Sequence, residues 1–375
     1  MTTLSVVKAD VGGLVGHVAV HPDVLAEAER RLEAARDAGL LRDFRVLRVG
    51  DDIQLIMTHD FGPGDSEIHR LAWDVLRAGA DIAAKLGLYG AGQDLLSDAF
   101  SGTVCGLGPG SAEMSFEERR SEPVVIFMAD KTSAGAWNLP LYRMFADPFN
   151  TAGLVLSTAL QSGYRFEVHD VVGHRRVMLD TPEESYALLA LIGSPSRYAV
   201  KAVYHRRSGD TGAVSSVDRL NLIAGKYVGK DDPVCIVRCQ GTFPAVGEVL
   251  EPFSLPHLVA GWMRGSHHGP LTPVPFRYAS PTRFDGPPRV IAAGFQITNG
   301  KLIGPLDLFD DLAFDTARAQ ALQVASYLRQ HGPMEPHRLG AEEMEYTTLP
   351  EVLDELVVRF QPLETLVFAG SDGSS

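Results

Sequence analysis

Short runs of apolar, largely branched residues alternate along this chain with longer stretches of amphipathic helical pattern. Leu4 to Lys8 reads as a strand ending at Asp10, followed by the glycine turn Val11-Gly12-Gly13. Val24 to Ala38 predicts an amphipathic helix, preceded by Pro22 and closed by Gly39. Phe44 to Val49 predicts a strand that stops at Gly50-Asp51-Asp52, and Ile53 to Thr58 a hairpin partner for it. His69 to Leu86, rich in alanine and closed by Gly87, predicts a long helix. Glu122 to Met128 is the most hydrophobic strand signal of the first half and ends at Ala129-Asp130-Lys131. Between these last two lies a glycine-rich polar stretch, Gly90 to Gly110, long enough that a functional loop is expected.

From residue 163 the texture changes. Tyr164 to Asp170 and Arg175 to Leu179 predict a hairpin with Gly173 in its turn, and Glu183 to Leu191 a short helix. Tyr198 to Tyr204, Ala213 to Val217, Pro233 to Cys239 and Val290 to Ile297 predict strands, with a proline-rich stretch from Phe243 to Pro288. Phe314 to Arg329 and Glu351 to Phe360 predict helices, separated by a polar segment, Met344 to Thr348. Strands and helices mix throughout, without a repeat or a polar linker long enough to divide the chain. The expectation is a single α/β domain over residues 1–375, with at least one large sheet covered by helices.

Composition narrows the function classes. The 375 residues are 45% hydrophobic and 22% charged, ordinary for a globular protein. A formal charge of −13 argues against a general nucleic-acid binder, which needs a basic surface to displace counterions. It leaves a small phosphorylated substrate open, because a local site can be positive or metal-loaded. Cys105, Cys235 and Cys239 are too few for a disulfide scaffold; Cys235 and Cys239 share one face of a strand, too far apart to bond. Plain thiols, no membrane span and a cytoplasmic location are the expectation.

The candidate chemistry sits at strand ends. Asp10, Asp51, Asp52 and Asp130 each follow an apolar run directly, and in open α/β sheets ligands bind beyond the carboxyl ends of strands. Aspartate also ends strands simply because it turns well. Four coordinated cases favour one acidic pocket, whose mutual repulsion a hard divalent cation such as Mg²⁺ relieves. His17, seven residues after Asp10, and Gln93 and Asp94 in the glycine-rich loop are further donors. Lys131 and Arg264 can place positive charge on a phosphate. A second cluster lies in NLIAGKYVGKDDP, residues 221–233, where Tyr227, Lys230, Asp231 and Asp232 put a phenol, an amine and two carboxylates together. Such a set serves proton transfer, covalent chemistry or cation binding, although Gly-Lys-Asp-Asp is also ordinary loop composition. These features lead to a metal-dependent enzyme acting on a phosphorylated small molecule.

KADVGGLVGH, VGDDIQLIMTH, GLYGAGQDLLSDAFSG, FMADKT, LPLYRMFADPFN, RLNLIAGKYVGKDDP, HLVAGWMRGSHHGPL, TRFDGPP and MEYTTLP, in this order, resemble the fructose-1,6-bisphosphate aldolase/phosphatase family over nearly the whole chain. The resemblance implies a compact α-β-β-α sandwich of two facing sheets, assembled as an octamer. It implies condensation of dihydroxyacetone phosphate with glyceraldehyde 3-phosphate, then Mg²⁺-dependent hydrolysis of the 1-phosphate to fructose 6-phosphate. Matched by motif, Lys230 would form the Schiff base, Tyr227 would move the aldol proton and Asp10 would activate water. Asp10, His17, Asp51, Asp52, Gln93, Asp130, Asp231 and Asp232 would hold several Mg²⁺ ions, with Lys230 among the same positions. His17, Tyr89, Gly102, Thr103, Lys131, Gln240, Gly241, Arg264, Asp285 and Tyr346 would contact substrate. The chain departs from the family pattern at Cys105, where a basic residue is common. The rival reading is a Mg²⁺-dependent sugar-phosphate phosphatase in which Lys230 merely binds phosphate; a non-enzymatic sensor of phosphorylated sugars is a third.

Overall fold

The computed structural model describes residues 1–92, 95, 109–219, 233–259, 269–283, 286–330 and 347–363. Two antiparallel sheets face each other across an apolar layer. The first has five strands in the order Asp218–Arg219, Gly110–Phe116, Thr2–Asp10, Asp52–His59 and Asp43–Val49. The second has ten, centred on Glu122–Asp130, which Arg289–Thr298 and Val234–Arg238 flank. The predicted hairpin Tyr164–Asp170 and Arg175–Asp180 lies toward its far edge. The one parallel pairing among the described strands joins Thr272–Pro273 to Arg289–Thr298.

Period-two alternation divides each central strand between two cores. Leu4 and Val6 meet Val124, Ile126 and Met128 in the layer between the sheets. Val7 and Ala9, pointing the other way, pack under two helices, α1 (Pro22–Asp37) and α2 (Ser66–Lys85). Val125, Phe127 and Ala129 pack outward against the helices Asn138–Ala146 and Ser185–Ile192. The result is the expected α-β-β-α sandwich, a compact α/β fold. Helix α2 starts where Asp65 accepts hydrogen bonds from the Glu67 and Ile68 N–H groups at 2.9 and 3.1 Å. Cys235 and Cys239 are buried free thiols, both pushed up by burial, Cys239 to about 12.

The order of the strands corrects one step of the sequence reading. The carboxyl-end rule belongs to parallel sheets, whose crossovers send every strand the same way. Here neighbours run oppositely, so Asp10 ends its strand where Asp52 begins the next, directly opposite in the register. A tight hairpin, Val49 to Asp52, gathers the acids on one rim.

Candidate active site

That rim is shared by both sheets. Asp130 ends the central strand of the second sheet, and Gly50, in the first sheet's hairpin, lies against its carboxylate. Gly50 has a left-handed φ of 59° and donates its N–H to the Ala279 carbonyl at 2.8 Å. A Cβ there would overlap the Asp130 carboxylate, so glycine is needed twice over, for conformation and for approach.

Asp51 is the hub. Its Oδ2 meets His17 Nδ1 at 2.9 Å and its Oδ1 accepts from Lys131 Nζ at 2.7 Å. Burial pushes the Asp51 carboxyl up, but the Lys131 charge and the hydrogen bonds from His17 and Lys131 hold it well below the usual carboxylate range. Lys131 also lies 3.3 Å from Asp130 Oδ1, and its backbone is left-handed at φ 65°, a sparsely populated conformation for a side chain that is not glycine. Asp10 turns back to accept from the Gly12 N–H at 2.9 Å. One ligand atom from each of Asp10, His17 and Asp51 falls within 4.8 Å of the other two. Two carboxylate oxygens and an imidazole nitrogen at that spacing fit a divalent cation.

Tyr89 lies beside this group: it pairs with Gly13 in an isolated bridge, and its ring meets His17 edge-on at 4.8 Å. Asp52 faces partly elsewhere, toward Lys8 between the sheets, at 2.6 Å. Gln240 and Gly241 stand apart. They follow Arg238, which is opposite Val124, whereas Asp130 is at the other end of that strand, roughly 25 Å away at strand rise. Gln93, Gly102, Thr103, Tyr227, Lys230, Asp231, Asp232, Arg264, Asp285 and Tyr346 lie outside the described residues. Several flanks of those segments do reach the rim. Gly92 donates to the Val11 carbonyl at 3.0 Å, Gly110 is opposite Lys8, and the Pro233 carbonyl accepts from Ala129 at 3.1 Å. Arg289, which sequence reasoning passed over, is directly opposite Asp130 in the register. Its only signal was a basic residue opening a strand signal, PPRVIAAG.

A layered α/β fold whose two sheets pool carboxylates, an imidazole and an ammonium on one rim has the donor set of a cation-assisted enzyme acting on an anionic small molecule. Comparison with known proteins makes this specific. The family described as fructose-1,6-bisphosphatase matches residues 1–361. The fructose-1,6-bisphosphate aldolase/phosphatase of Ignicoccus hospitalis is 64% identical over 365 residues, 97% of this chain and 94% of that protein. Its counterpart in Moorella thermoacetica is 62% identical over 358 residues, 96% of this chain and 94% of that protein. The counterpart in Methanothermobacter marburgensis is 58% identical, covering 97% and 100%. The chain belongs to the fructose-1,6-bisphosphate aldolase/phosphatase family.

One prediction arises from the hairpin itself. Gly50→Ala should lower the thermal midpoint, since alanine in the left-handed region costs about 1–2 kcal/mol. It should lower phosphate release far more than that loss of folded protein explains, because Asp130 must give way. Circular dichroism melts and phosphate release on the same preparation check this; parent activity in the alanine protein would count against a functional role for the Gly50–Asp130 approach.

Proposed function

We propose that this chain condenses dihydroxyacetone phosphate with glyceraldehyde 3-phosphate and then hydrolyses the 1-phosphate of the product, giving fructose 6-phosphate in gluconeogenesis. The observation that carries the reading is the meeting of Asp10, His17 and Asp51 on the rim where the Ala129 N–H donates to the Pro233 carbonyl, three residues after Lys230 in sequence.

These groups would hold Mg²⁺, more than one ion per site, which would polarise phosphate oxygens and lower the pKa of water. Asp10, His17, Asp51, Asp52, Gln93, Asp130, Asp231 and Asp232 would hold the ions. Lys131 binds a substrate phosphate by exchanging carboxylate for phosphate oxygens. Lys230 attacks the ketone of dihydroxyacetone phosphate, and loss of water leaves the Schiff base. Tyr227 moves the proton that carbon–carbon bond formation requires, and Asp10 takes the proton of the attacking water in hydrolysis. Tyr89 and His17 form one wall of the pocket; Gly102, Thr103, Arg264, Asp285 and Tyr346 bind the remaining substrate groups. Gln240 and Gly241, remote from this rim, reach substrate only in the pocket of a neighbouring copy, which is consistent with an octamer. Residues 1–375 act as one domain. Among the described residues no helix is long and apolar enough to cross a membrane.

The test supplies one purified preparation with both triose phosphates and Mg²⁺ and follows fructose 6-phosphate and inorganic phosphate together. Both should appear, with fructose 1,6-bisphosphate as intermediate. Phosphate release from added fructose 1,6-bisphosphate without any condensation would leave the simple phosphatase; neither activity would leave a sensor.

A further inference from the structure

Beneath the acidic rim, the inter-sheet face of the first strand changes character. Leu4 and Val6 belong to the apolar layer, but the next two positions on that face are Lys8 and Asp10. The neighbouring strand repeats the change, with Ile56 in the layer and Gln54 and Asp52 following it toward the rim. The register sets Lys8 opposite Gln54 and Asp10 opposite Asp52. Lys8 Nζ donates to Asp52 Oδ2 at 2.6 Å, with side-chain exposures of 1% and 2%. A lysine buried here packs its stem but leaves its ammonium without water. It is retained at a cost that only a well-placed counter-charge offsets.

We propose that Lys8 is a positioning residue for the metal pocket, fixing one oxygen of Asp52 so that the other is presented to the cations. The proposal rests on reading the rim as a Mg²⁺ site. Rotation of the carboxylate would break a fully buried ion pair, so Asp52 keeps one orientation. The adjoining Gln54 amide, equally buried, makes no hydrogen bond among the described residues, so it does not take over that task. Groups that orient a metal ligand from behind typically govern affinity as strongly as some ligands do.

Charge and positioning make opposite forecasts, which makes the proposal testable. Removing a positive charge from beside an acidic site should, by Coulomb's law alone, tighten Mg²⁺ binding. Loss of positioning should weaken it. The experiment is calorimetric titration of Mg²⁺ into the full-length parent and Lys8→Met, with melting curves in chelator and in Mg²⁺. Lys8→Met keeps the length of the stem without the ammonium. Its Mg²⁺ binding should be at least about tenfold weaker, and its melting midpoint should gain less from the ion. Equal or tighter binding by folded Lys8→Met overturns the proposal. Should that protein not fold, Lys8→Gln, which is uncharged and one bond too short to reach Asp52 Oδ2 as the ammonium does, is read by the same rule. Lys8→Arg keeps the charge but shifts the donor, so it too should bind more weakly, a loss that charge alone does not forecast; parent affinity in Lys8→Arg would overturn the need for a donor at this position. A parent that takes up no Mg²⁺ would instead remove the metal reading, a result distinct from failure of the Lys8 assignment.

Discussion

Asp51→Ala should abolish phosphate release from fructose 1,6-bisphosphate. The substitution removes an oxygen from the Asp10, His17 and Asp51 group and also the partner that holds His17 and Lys131 in place. Lys131 would keep Asp130 as its neighbour, at 3.3 Å, so its ammonium would be drawn toward the remaining acid and away from substrate phosphate. The loss should reach roughly a thousandfold, the scale of several kcal/mol of metal-assisted stabilisation. Asp51→Asn keeps one oxygen ligand and an acceptor for Lys131, so it should be the milder change. The low pKa of Asp51 makes the wild-type group an anion throughout the neutral range. Its stabilising contribution is present above the unfolded-state pKa and fades only as pH falls through the lower folded one, far from any working pH. Phosphate release by Asp51→Ala within about threefold of the parent at saturating Mg²⁺ would remove Asp51 from the site.

Where the strand signal was strong, the sequence located the elements closely. The run Glu122 to Met128 became Glu122–Asp130, and Ile53 to Thr58 became Asp52–His59, paired with Asp43–Val49 as expected. Both read as nearly continuous apolar runs because each buries one face between the sheets and the other under helices. Gly110–Phe116, reading GSAEMSF, escaped notice because its second face is polar: Glu113 accepts from Ser5 and meets His69 in a buried network. Lys301–Asp307 was masked by an internal Gly304-Pro305, tolerated because the strand pairs on one side only, with Arg289–Thr298. The helix Asn138–Ala146 was hidden by Pro140, which sits in its first turn, where no intrahelical N–H bond is lost.

The site was legible in part, and for a reason other than the one first given. Asp10, Asp51, Asp52 and Asp130 do share a rim, but through an antiparallel hairpin meeting a second sheet. That meeting depends on Gly50, and nothing in the local pattern says which strand a glycine will touch. His17 was one polar residue among many until the glycine turn brought it onto Asp51. Lys8 read as the polar end of an apolar run; its burial and its pairing with Asp52 depend on the opposing sheet. Chain order likewise gave no sign that Gln240 and Gly241 lie at the far end of the strand beside Asp130.

Lys230→Arg should separate the two activities. Arginine keeps the positive charge and the attraction for phosphate, but a guanidinium stays protonated and has no free amine to attack a carbonyl. Aldol condensation should therefore fall by orders of magnitude, while hydrolysis of added fructose 1,6-bisphosphate stays measurable because Asp10, His17 and Asp51 remain grouped. Some loss of hydrolysis is expected, since the bulkier side chain adjoins Asp231 and Asp232 in sequence. The motivation is an amine adjacent in sequence to Asp231 and Asp232, carboxylates of the type that hold cations for hydrolysis and that imine formation does not require. An amine flanked by carboxylates is held protonated, which opposes attack on a ketone. Cations that neutralise those carboxylates remove the conflict, so condensation by the parent should need Mg²⁺ as well. Both activities are measured on one preparation, with mass spectrometry after borohydride treatment in the presence of dihydroxyacetone phosphate. The parent should carry a reduced adduct on Lys230 and the variant none. Retained condensation, or an adduct on Lys131 or Lys226, would place the covalent chemistry elsewhere and return Lys230 to the role of a phosphate-binding charge.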